Sequence, residues 1–251
     1  MRSERTVLVL QHAECEAPGA FQDELDERGI ATVAVELDQG AAIPAWEGFD
    51  ALIAMGGPMS VNDEDSFEWL RAEKQLIGEF VRADRPFWGV CLGAQLLAAS
   101  LGAGVHEGAA PEVGVLAVDL EREGMLDPVF SVLPKRLLTL QWHSDTFDLP
   151  RGAVLLASSA SYRHQAFRWR RAYGLQFHLE VSPQAVREWG DIPAYADALE
   201  SVLGTGALPR LLDELDREHQ VMRTNALVLF RRWLDLDVVV RPRAATMGVE
   251  S

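Results

Sequence analysis

Cys91 lies in the pattern G-x-C-x-G, together with Gly89 and Gly93. A short apolar run at residues 87–90 precedes it, and an Ala/Leu-rich segment with helical spacing follows, which predicts a strand, a sharp turn and a helix. Glycines flank a nucleophile at such a turn because side chains there would collide with neighbouring backbone. The start of a helix favours a thiolate, the reactive form of cysteine. Cys91 is therefore a candidate nucleophile; the alternative is a small buried cysteine without chemistry.

A histidine and a glutamate stand two positions apart at the end of a later β-type run, in the segment GLQFHLE at residues 174–180. Alternate residues of a strand point to the same side, so His178 and Glu180 share a face while Leu179 turns into the packing. If this strand ends beside the turn at Cys91, His178 can take the thiol proton and Glu180 can orient the imidazole and stabilise its cation. The alternative is a strand end whose polar residues are exposed to water and serve only solubility.

Glycines also follow the strand predicted at residues 50–55, in the run Gly56-Gly57-Pro58. A glycine there lets a backbone N–H approach a reacting carbonyl group closely. Paired with the N–H of Leu92, such an N–H would form an oxyanion hole for the tetrahedral intermediate of an acyl transfer. The alternative is an ordinary turn from strand to loop, which any Gly-Gly-Pro could form.

The elements that must position these residues alternate in the first part of the chain. Continuous apolar, β-branched runs are typical of strands buried on both faces of a parallel sheet, and they occur at residues 6–10, 31–37, 50–55 and 87–90. Helical spacing predicts one helix over residues 18–28 and a second that begins among the N-caps at 62–66 and runs through Val81. Strands that alternate with helices are typical of an α/β fold.

The pattern changes beyond the helix that follows Cys91. Short runs with β-propensity, separated by turns, predict partly antiparallel strands at residues 113–120, 137–142, 154–158, 165–169 and 173–177. From Ser182 onward the spacing is helical. Residues 211–233 carry one apolar stripe with Pro209 near its start, and we expect this stripe to pack on the rest of the same domain. Residues 241–251 are predicted to be a frayed tail.

Composition narrows the possible classes of function. The chain has 251 residues, a net charge of −15 and two cysteines, Cys15 and Cys91. Such an acidic surface repels phosphate backbones and acidic membrane faces, so we expect no binding to nucleic acid or to membranes. No apolar run has the length of a membrane span and no signal peptide is evident, so we expect a cytoplasmic protein with free thiols. Paired metal-ligand spacing and nucleotide-binding glycine motifs are also absent, and we expect no metal and no cofactor.

The three motifs, in this chain order, closely resemble those of the class I glutamine amidotransferase family, the triad glutaminases. The family's G-x-C-x-G-x-Q elbow corresponds to GVCLGAQ at residues 89–95, its oxyanion turn to GGP at 56–58, and its F-H-P-E segment to FHLE at 177–180. A further segment, QWHSD at 141–145, is similar to the stretch whose backbone holds the glutamine carboxylate. The resemblance covers residues 5–190 and is greatest to stand-alone glutaminase domains related to the amidotransferase domain of GMP synthase.

The resemblance implies a set of site residues. Three of them are catalytic: Cys91 as nucleophile, His178 as general base and then acid, and Glu180 as the group that orients the imidazole. Others would bind the oxyanion or the substrate, namely Gly57, Leu92, Gln95, Ser144 and Asp145. Leu179 stands where the family usually has proline, and we expect this change to affect local rigidity more than chemistry, because its side chain should point away from the site.

The implied activity is hydrolysis of the side-chain amide of glutamine to glutamate and ammonia, through a γ-glutamyl thioester on Cys91. In this family a synthetase normally uses the ammonia. We therefore expect one of two arrangements: a separate synthetase chain is the partner that accepts the ammonia, or the protein is a free-standing hydrolase. Hydrolysis of γ-glutamyl peptides or amides by the same triad is an alternative, and so is a non-catalytic regulatory module on the same scaffold. A cysteine α/β-hydrolase is disfavoured, because that fold usually places its acid well upstream of its histidine.

Together with the patterns above, the resemblance implies a three-layer, flavodoxin-like α/β fold with a mostly parallel central sheet and helices on both faces. A smaller, partly antiparallel strand region and a C-terminal helical extension complete this fold. We expect the glutaminase domain to span residues 1–190, and the extension to span residues 191–251 and to pack on it.

Overall fold

Strands and helices alternate up to residue 100, and strands dominate from there to residue 175. The computed structural model describes residues 5–239. The strands are β1 (Thr6–Gln11), β2 (Ala31–Glu36), β3 (Ala51–Ala54), β4 (Phe87–Val90), β5 (Val105–Leu120), β6 (Arg136–Phe147), β7 (Val154–Ser159), β8 (Ala166–Trp169) and β9 (Ala172–Leu175). The helices are α1 (Ala20–Glu27), α2 (Trp69–Arg82), α3 (Leu92–Ser100), α4 (Arg122–Leu126), α5 (Pro183–Trp189), α6 (Pro193–Leu203) and α7 (Leu208–Trp233).

The nine strands form one sheet in the order β2-β1-β3-β4-β9-β8-β7-β5-β6. The pairings from β2 to β9 are parallel. Those from β9 to β6 are antiparallel. The predicted fold class is confirmed, and the antiparallel strands continue the parallel sheet instead of forming a separate layer.

The side chains of the central strands alternate between two helical layers. On β1, Val7 and Val9 enter one core, whereas Leu8 and Leu10 enter the other. The first core also contains residues of α1 and α7, and the second contains residues of α2 and α3. Because helices cover both faces of the parallel strands, both sets of side chains must be apolar, which explains the continuous hydrophobic runs in the sequence.

Helix α2 begins later than predicted. Its first residue is Trp69, whereas the sequence placed the start among residues 62–66. The carboxylate of Asp63 instead accepts the N–H of Ser60 at 2.8 Å, and the carbonyl of Asp63 accepts the N–H of Phe67 at 2.9 Å. These bonds form turns. The side chains that cap helices also stabilise turns, so the local pattern does not distinguish the two.

Strand β5 is longer than the predicted strand at residues 113–120. Its first half contains Gly108 and Pro111, which are uncommon inside strands, and its pairing with β6 shifts register between Glu107 and Glu112. A bulge accommodates an extra residue and a proline without ending the strand. The length of β5 therefore depends on tertiary pairing and not on its own residues.

Helix α7 is amphipathic over its 26 residues. The predicted stripe is buried, and exposed charged residues such as Glu214 and Arg217 occupy the opposite face. Within residues 5–239, no helix combines the length and the apolar character needed to cross a bilayer. The tail predicted at residues 241–251 lies outside the described residues.

The end of α7 packs against aromatic side chains under the parallel strands. The ring of Phe230 lies 4.6 Å from that of Phe21 and 5.6 Å from that of Trp88, measured between centroids. Trp233 lies 5.3 Å from Trp88, and all four side chains are fully buried. We propose that the C-terminal helices and the sheet form one folding unit.

This proposal predicts the effect of removing one ring of the aromatic cluster. Phe230→Ala should lower the free energy of unfolding by about 3–5 kcal/mol, the usual cost of deleting a buried aromatic side chain. Urea denaturation of this variant should still show a single unfolding transition. Val228→Ala, on the more exposed side of the same helix, serves as the control. A change below about 1 kcal/mol for Phe230→Ala, or a separate early transition, would contradict the proposal.

Candidate active site

Cys91 occupies a strained turn between β4 and α3. Its φ of 50° and ψ of −107° place it in a region of backbone space that residues other than glycine rarely adopt. The flanking glycines allow this turn to pack closely. A Cβ atom on Gly93 would lie 2.0 Å from the carbonyl oxygen of Ala54, and one on Gly89 would lie 2.6 Å from the carbonyl oxygen of Gly93. This is the strand, turn and helix that the G-x-C-x-G pattern predicts.

The pairing of β4 with β9 brings the segment of His178 to this turn. The two strands are parallel and in register at Val90 and Leu175, and the N–H of Cys91 donates to the carbonyl of Leu175 at 2.7 Å. His178 follows three residues after β9 and is fixed on β6, because it exchanges two backbone hydrogen bonds with Leu140, at 2.9 and 3.0 Å. The structure therefore places Cys91 and His178 at one edge of the sheet.

His178 lies between the thiol of Cys91 and the carboxylate of Glu180. The carboxylate Oε1 is 2.7 Å from Nδ1 of the ring, and the thiol lies near enough to the ring to interact with it electrostatically. Burial disfavours the imidazolium, but the charge of Glu180, the hydrogen bond to Glu180 and the nearby Cys91 outweigh it, so the pKa of His178 is raised well above its ordinary value. These three groups can thus hold a proton on the ring beside the thiol.

Leu179 contributes more than rigidity. Its side chain lies in the first core, away from the cavity, as expected. Its backbone N–H, however, donates to Oε2 of Glu180 at 3.0 Å. Proline, which the family usually has here, lacks this N–H. Both carboxylate oxygens of Glu180 are therefore hydrogen-bonded in this chain, and the departure from the family pattern adds a donor to the buried acid.

Two backbone N–H groups beside Cys91 have no acceptor in residues 5–239, those of Gly57 and Leu92. The N–H of Gly93 donates to the carbonyl of Met55 at 3.1 Å, which joins the start of α3 to the end of β3. A Cβ atom on Gly57 would lie 2.9 Å from the side chain of Leu92. The two residues predicted to form an oxyanion hole are therefore neighbours.

A cavity of about 260 Å³ opens beside Cys91. It is smaller than the range of about 300–1,000 Å³ typical of drug-sized ligands, so its size suits a ligand such as an amino acid. Its walls come from the loop after β3, from β6 and from α6, and they include Gly57, Ser60, Ser144, Asp145, Tyr195 and Ala198. Within residues 5–239, no group of three His, Cys, Asp or Glu side chains is placed to hold a metal ion.

The predicted substrate contacts all lie on this cavity, but they differ in what their atoms can do. The side-chain amide of Gln95 donates to the carbonyl of Asp145 at 3.3 Å and to the side chain of Gln176 at 3.1 Å, so it holds the wall in place. The carboxylate of Asp145 accepts the hydroxyl of Ser60 at 2.7 Å, which joins β6 to the loop after β3. Ser144 also lines the cavity.

A second His–Glu pair supports the same wall. Nδ1 of His143 donates to the carbonyl of Asp145 at 2.9 Å, and Nε2 lies 3.3 Å from the carboxylate of Glu112. Gln165 and Ser159 also donate to that carboxylate. Burial raises the pKa of Glu112, but the bonds from His143 and these two side chains outweigh it and lower the pKa overall. The wall segment is thus attached to a buried charged network.

Aromatic and acidic side chains enclose the far side of His178. The ring of Trp189 packs edge-on against the imidazole, with ring centroids 4.9 Å apart. The ring of Tyr195 lies 5.5 Å from that of Trp189, also measured between centroids. The hydroxyl of Tyr195 donates to the carboxylate of Glu16, whose pKa is raised because it is buried. All of these side chains are buried. Little room remains on this side of the imidazole.

No sequence motif indicated this enclosure. Glu16 follows β1, and Tyr195 belongs to a helix that was expected only to pack on the domain. Their contact joins residues 179 positions apart. No local spacing could indicate a contact between residues so far apart in the chain. By contrast, the motif around His143 correctly indicated one wall of the cavity.

Comparison with known proteins agrees with this geometry. The family described as Glutamine amidotransferase class-I matches residues 20–188. The glutamine amidotransferase-like protein YfeJ of Salmonella typhimurium is 32% identical over 180 residues, which are 70% of this chain and 75% of that protein. A glutamine-hydrolyzing GMP synthase subunit of Thermoplasma volcanium is 32% identical over 161 residues, which are 62% of this chain and 74% of that protein.

A solved structure shows the same fold. The crystal structure of a glutamine amidotransferase from Thermotoga maritima superposes with a TM-score of 0.83 at 33% sequence identity, and the match covers 93% of this chain and 100% of that one. The family match spans both the elbow of Cys91 and the segment of His178. The chain therefore belongs to the class I glutamine amidotransferase family.

Proposed function

We propose that this protein hydrolyses the side-chain amide of glutamine to glutamate and ammonia. Cys91 is the nucleophile, His178 transfers protons, and Glu180 orients the imidazole and stabilises its cation. One observation carries the proposal: the imidazole of His178 lies near the thiol, which sits in a strained turn, and is hydrogen-bonded to a carboxylate whose two oxygens both have partners. Nucleophilic catalysis by cysteine needs this chain of contacts.

The first half of the reaction forms a thioester. The Cys91 thiolate attacks the amide carbon of glutamine, and the C=O electrons move onto oxygen to give a tetrahedral intermediate. The N–H groups of Gly57 and Leu92 donate to this oxyanion. When the intermediate collapses, the C–N bond breaks and the imidazolium of His178 gives its proton to the departing amide nitrogen, which leaves as ammonia.

The second half regenerates the thiol. Neutral His178 takes a proton from a water molecule, whose oxygen attacks the γ-glutamyl thioester. The C–S bond of the new tetrahedral intermediate breaks, and the proton returns from the imidazolium to the sulfur. Glu180 stabilises the imidazolium in both halves of the reaction. Because Glu180 contacts Nδ1, the other ring nitrogen, Nε2, is free to face the reacting atoms.

The enclosure of His178 favours glutamine over γ-glutamyl peptides. The leaving amine must contact the imidazole from the cavity, and Tyr195, which lines the cavity, is held there by Glu16 and Trp189. Ammonia is small enough to form there, whereas the amino-acid residue of a dipeptide would collide with buried side chains. A γ-glutamyl peptidase would need an opening on this side.

We further propose that a separate synthetase subunit receives the ammonia. The support comes from the relative in Thermoplasma volcanium, which is named as one subunit of a glutamine-hydrolyzing GMP synthase. A fast, steady turnover of glutamine by the isolated chain would show that its activity needs no such partner.

Replacing the nucleophile tests the proposed function. Cys91→Ala should abolish ammonia and glutamate formation from glutamine, because no thioester can form. The unfolding transition in urea should stay close to that of the wild type, which serves as the control for folding. Cys15→Ala, at the other free cysteine, should keep activity. Equal turnover in wild type and Cys91→Ala would contradict the proposal.

The same assay separates the two substrate classes. We expect kcat/KM for glutamine to exceed that for γ-glutamyl dipeptides by about 10²-fold or more, which is the discrimination that unfavourable contacts of about 3 kcal/mol provide. A preference for dipeptides would refute the steric argument and assign the protein to γ-glutamyl peptide hydrolysis.

The role of Glu180 predicts a shift in the pH profile. Its charge raises the pKa of His178, so Glu180→Gln should lower that pKa. The imidazolium that protonates the leaving nitrogen is then lost at lower pH, and the alkaline fall of kcat should move toward lower pH. At neutral pH, kcat should drop by about 10²-fold or more. An unchanged alkaline limb, measured with glutamine at saturation, would argue against this role.

A further inference from the structure

The oxyanion peptide, defined as the peptide group between Gly56 and Gly57, has a buried partner on the side opposite the cavity. Nδ1 of His12 donates to the carbonyl of Gly56 at 3.0 Å. His12 follows directly after β1 and was not singled out by any sequence motif. The proposed reaction does not use its side chain, so its presence under the oxyanion peptide needs an explanation.

His12 forms a buried ion pair with Glu73 of α2. Its Nε2 lies 2.9 Å from the carboxylate Oε1, and both side chains have no exposed surface. A carbonyl on one ring nitrogen and a carboxylate on the other are both acceptors, so the imidazolium is the form that can donate to each. Burial lowers the pKa of His12, but the charge and hydrogen bond of Glu73 outweigh it and the pKa is raised overall.

The surroundings of the ring also favour the cation. The indole of Trp69 stacks on His12 with centroids 5.4 Å apart and planes 23° apart, a geometry that attracts a positive charge. The carboxylate of Glu16 adds a further favourable charge. The second oxygen of Glu73 has no hydrogen-bond partner among the described residues, so its charge is directed mainly at His12.

The two glycines let these groups approach the backbone. A Cβ atom on Gly56 would lie 2.5 Å from the carboxylate of Glu16, and one on Gly57 would lie 2.9 Å from Cβ of His12. Neither contact is possible with a side chain present. The oxyanion peptide is therefore packed directly on His12, and any displacement of that ring would shift the peptide.

The geometry of a trans peptide connects this contact to catalysis. Its C=O and N–H point in opposite directions, and residues 5–239 contain no cis peptide bond. With the carbonyl of Gly56 held toward His12, the N–H of Gly57 must point to the other side, where Gly57 lines the cavity beside Cys91. A charged donor on the carbonyl also polarises the amide and strengthens the N–H as a donor.

We propose that the His12–Glu73 pair positions and polarises the oxyanion peptide, so that the Gly57 N–H binds the developing oxyanion more strongly than an unsupported amide would. This inference rests on the proposed function, because it presumes that an oxyanion forms at Gly57. His12 and Glu73 are positioning residues, since neither touches the substrate. The alternative is a buried pair that only joins β1 to α2.

Glu73→Gln tests the proposal with little change of shape. The amide introduced at this position can still donate to Nε2, and neutral His12 can still donate from Nδ1 to Gly56, so the hydrogen bond remains while the charge is removed. We expect kcat for glutamine to fall by about tenfold, less than the 10²–10³-fold loss on removing a whole oxyanion donor. KM should remain within about twofold, because the oxyanion exists only after binding.

Two controls separate this effect from general damage. Alkylation of Cys91 by iodoacetamide forms no oxyanion, so its rate should be the same in Glu73→Gln and wild type. Asp127→Asn removes the charge of another buried carboxylate, paired with Arg168 at 2.6 Å and outside the cavity, and should leave kcat unchanged. If Asp127→Asn lowers kcat as much as Glu73→Gln does, or if alkylation slows as much as turnover, His12 and Glu73 have only a structural role.

A spectroscopic measurement decides the proposal even without turnover. Gly56-Gly57 is the single Gly-Gly step in the sequence, so protein labelled with carbonyl-¹³C, ¹⁵N-glycine gives one amide signal for this peptide in an HNCO spectrum. Loss of the charge in Glu73→Gln should move the Gly57 proton upfield and the Gly56 carbon upfield. If Glu73→Gln fails to fold, the double variant His12→Gln/Glu73→Gln, which removes both charges of the pair, should show the same shifts.

These experiments test the role of the His12–Glu73 pair separately from the proposed glutaminase function. Equal glutamine turnover in the wild type and Cys91→Ala would refute the proposed function, yet a shifted Gly57 signal would still show that the pair polarises the peptide. Turnover in the wild type with an unshifted signal and unchanged kcat in Glu73→Gln would overturn the inference and leave the proposed function intact.

Discussion

The parallel pairing of β4 with β9 is the constraint on which the site depends. Cys91 and His178 are far apart in the chain, and only the alignment of Val90 with Leu175 brings the ends of their strands to one edge. The carboxyl edge of a parallel sheet is where open α/β folds bind their ligands. Helices cover both faces of these strands, so a register shift would bury the wrong side chains, which makes the pairing strongly specified.

Burial of charge is the second common feature of the site. The side chains of three His–Glu pairs, His178–Glu180, His12–Glu73 and His143–Glu112, are almost entirely shielded from solvent. Each pair costs desolvation free energy, and its partners offset this cost by mutual attraction and by hydrogen bonds to backbone. One pair lies near the thiol, and each of the others holds a carbonyl of a segment that lines the cavity. In a region of low dielectric, such fixed charges act strongly on nearby dipoles.

The local parts of the site could be read from the sequence, and the parts that depend on distant contacts could not. The glycines around Cys91 and the alternation at His178 reflect constraints within a few residues, which spacing records directly. The start of α2 was wrong because the same residue types stabilise turns and helix caps. His12 and Glu73 are 61 positions apart, and neither lies in a pattern that distinguishes a buried ion pair from surface charges. Only the packing of β1 against α2 reveals their role.

The covalent intermediate provides the most direct test of the account. Wild-type protein mixed with excess glutamine, quenched in acid during turnover and digested, can be examined by mass spectrometry for a γ-glutamyl thioester. We expect this adduct on the peptide that contains Cys91, and its disappearance when glutamine is exhausted. Turnover of glutamine without any adduct on Cys91, or with the adduct on another residue, would contradict it.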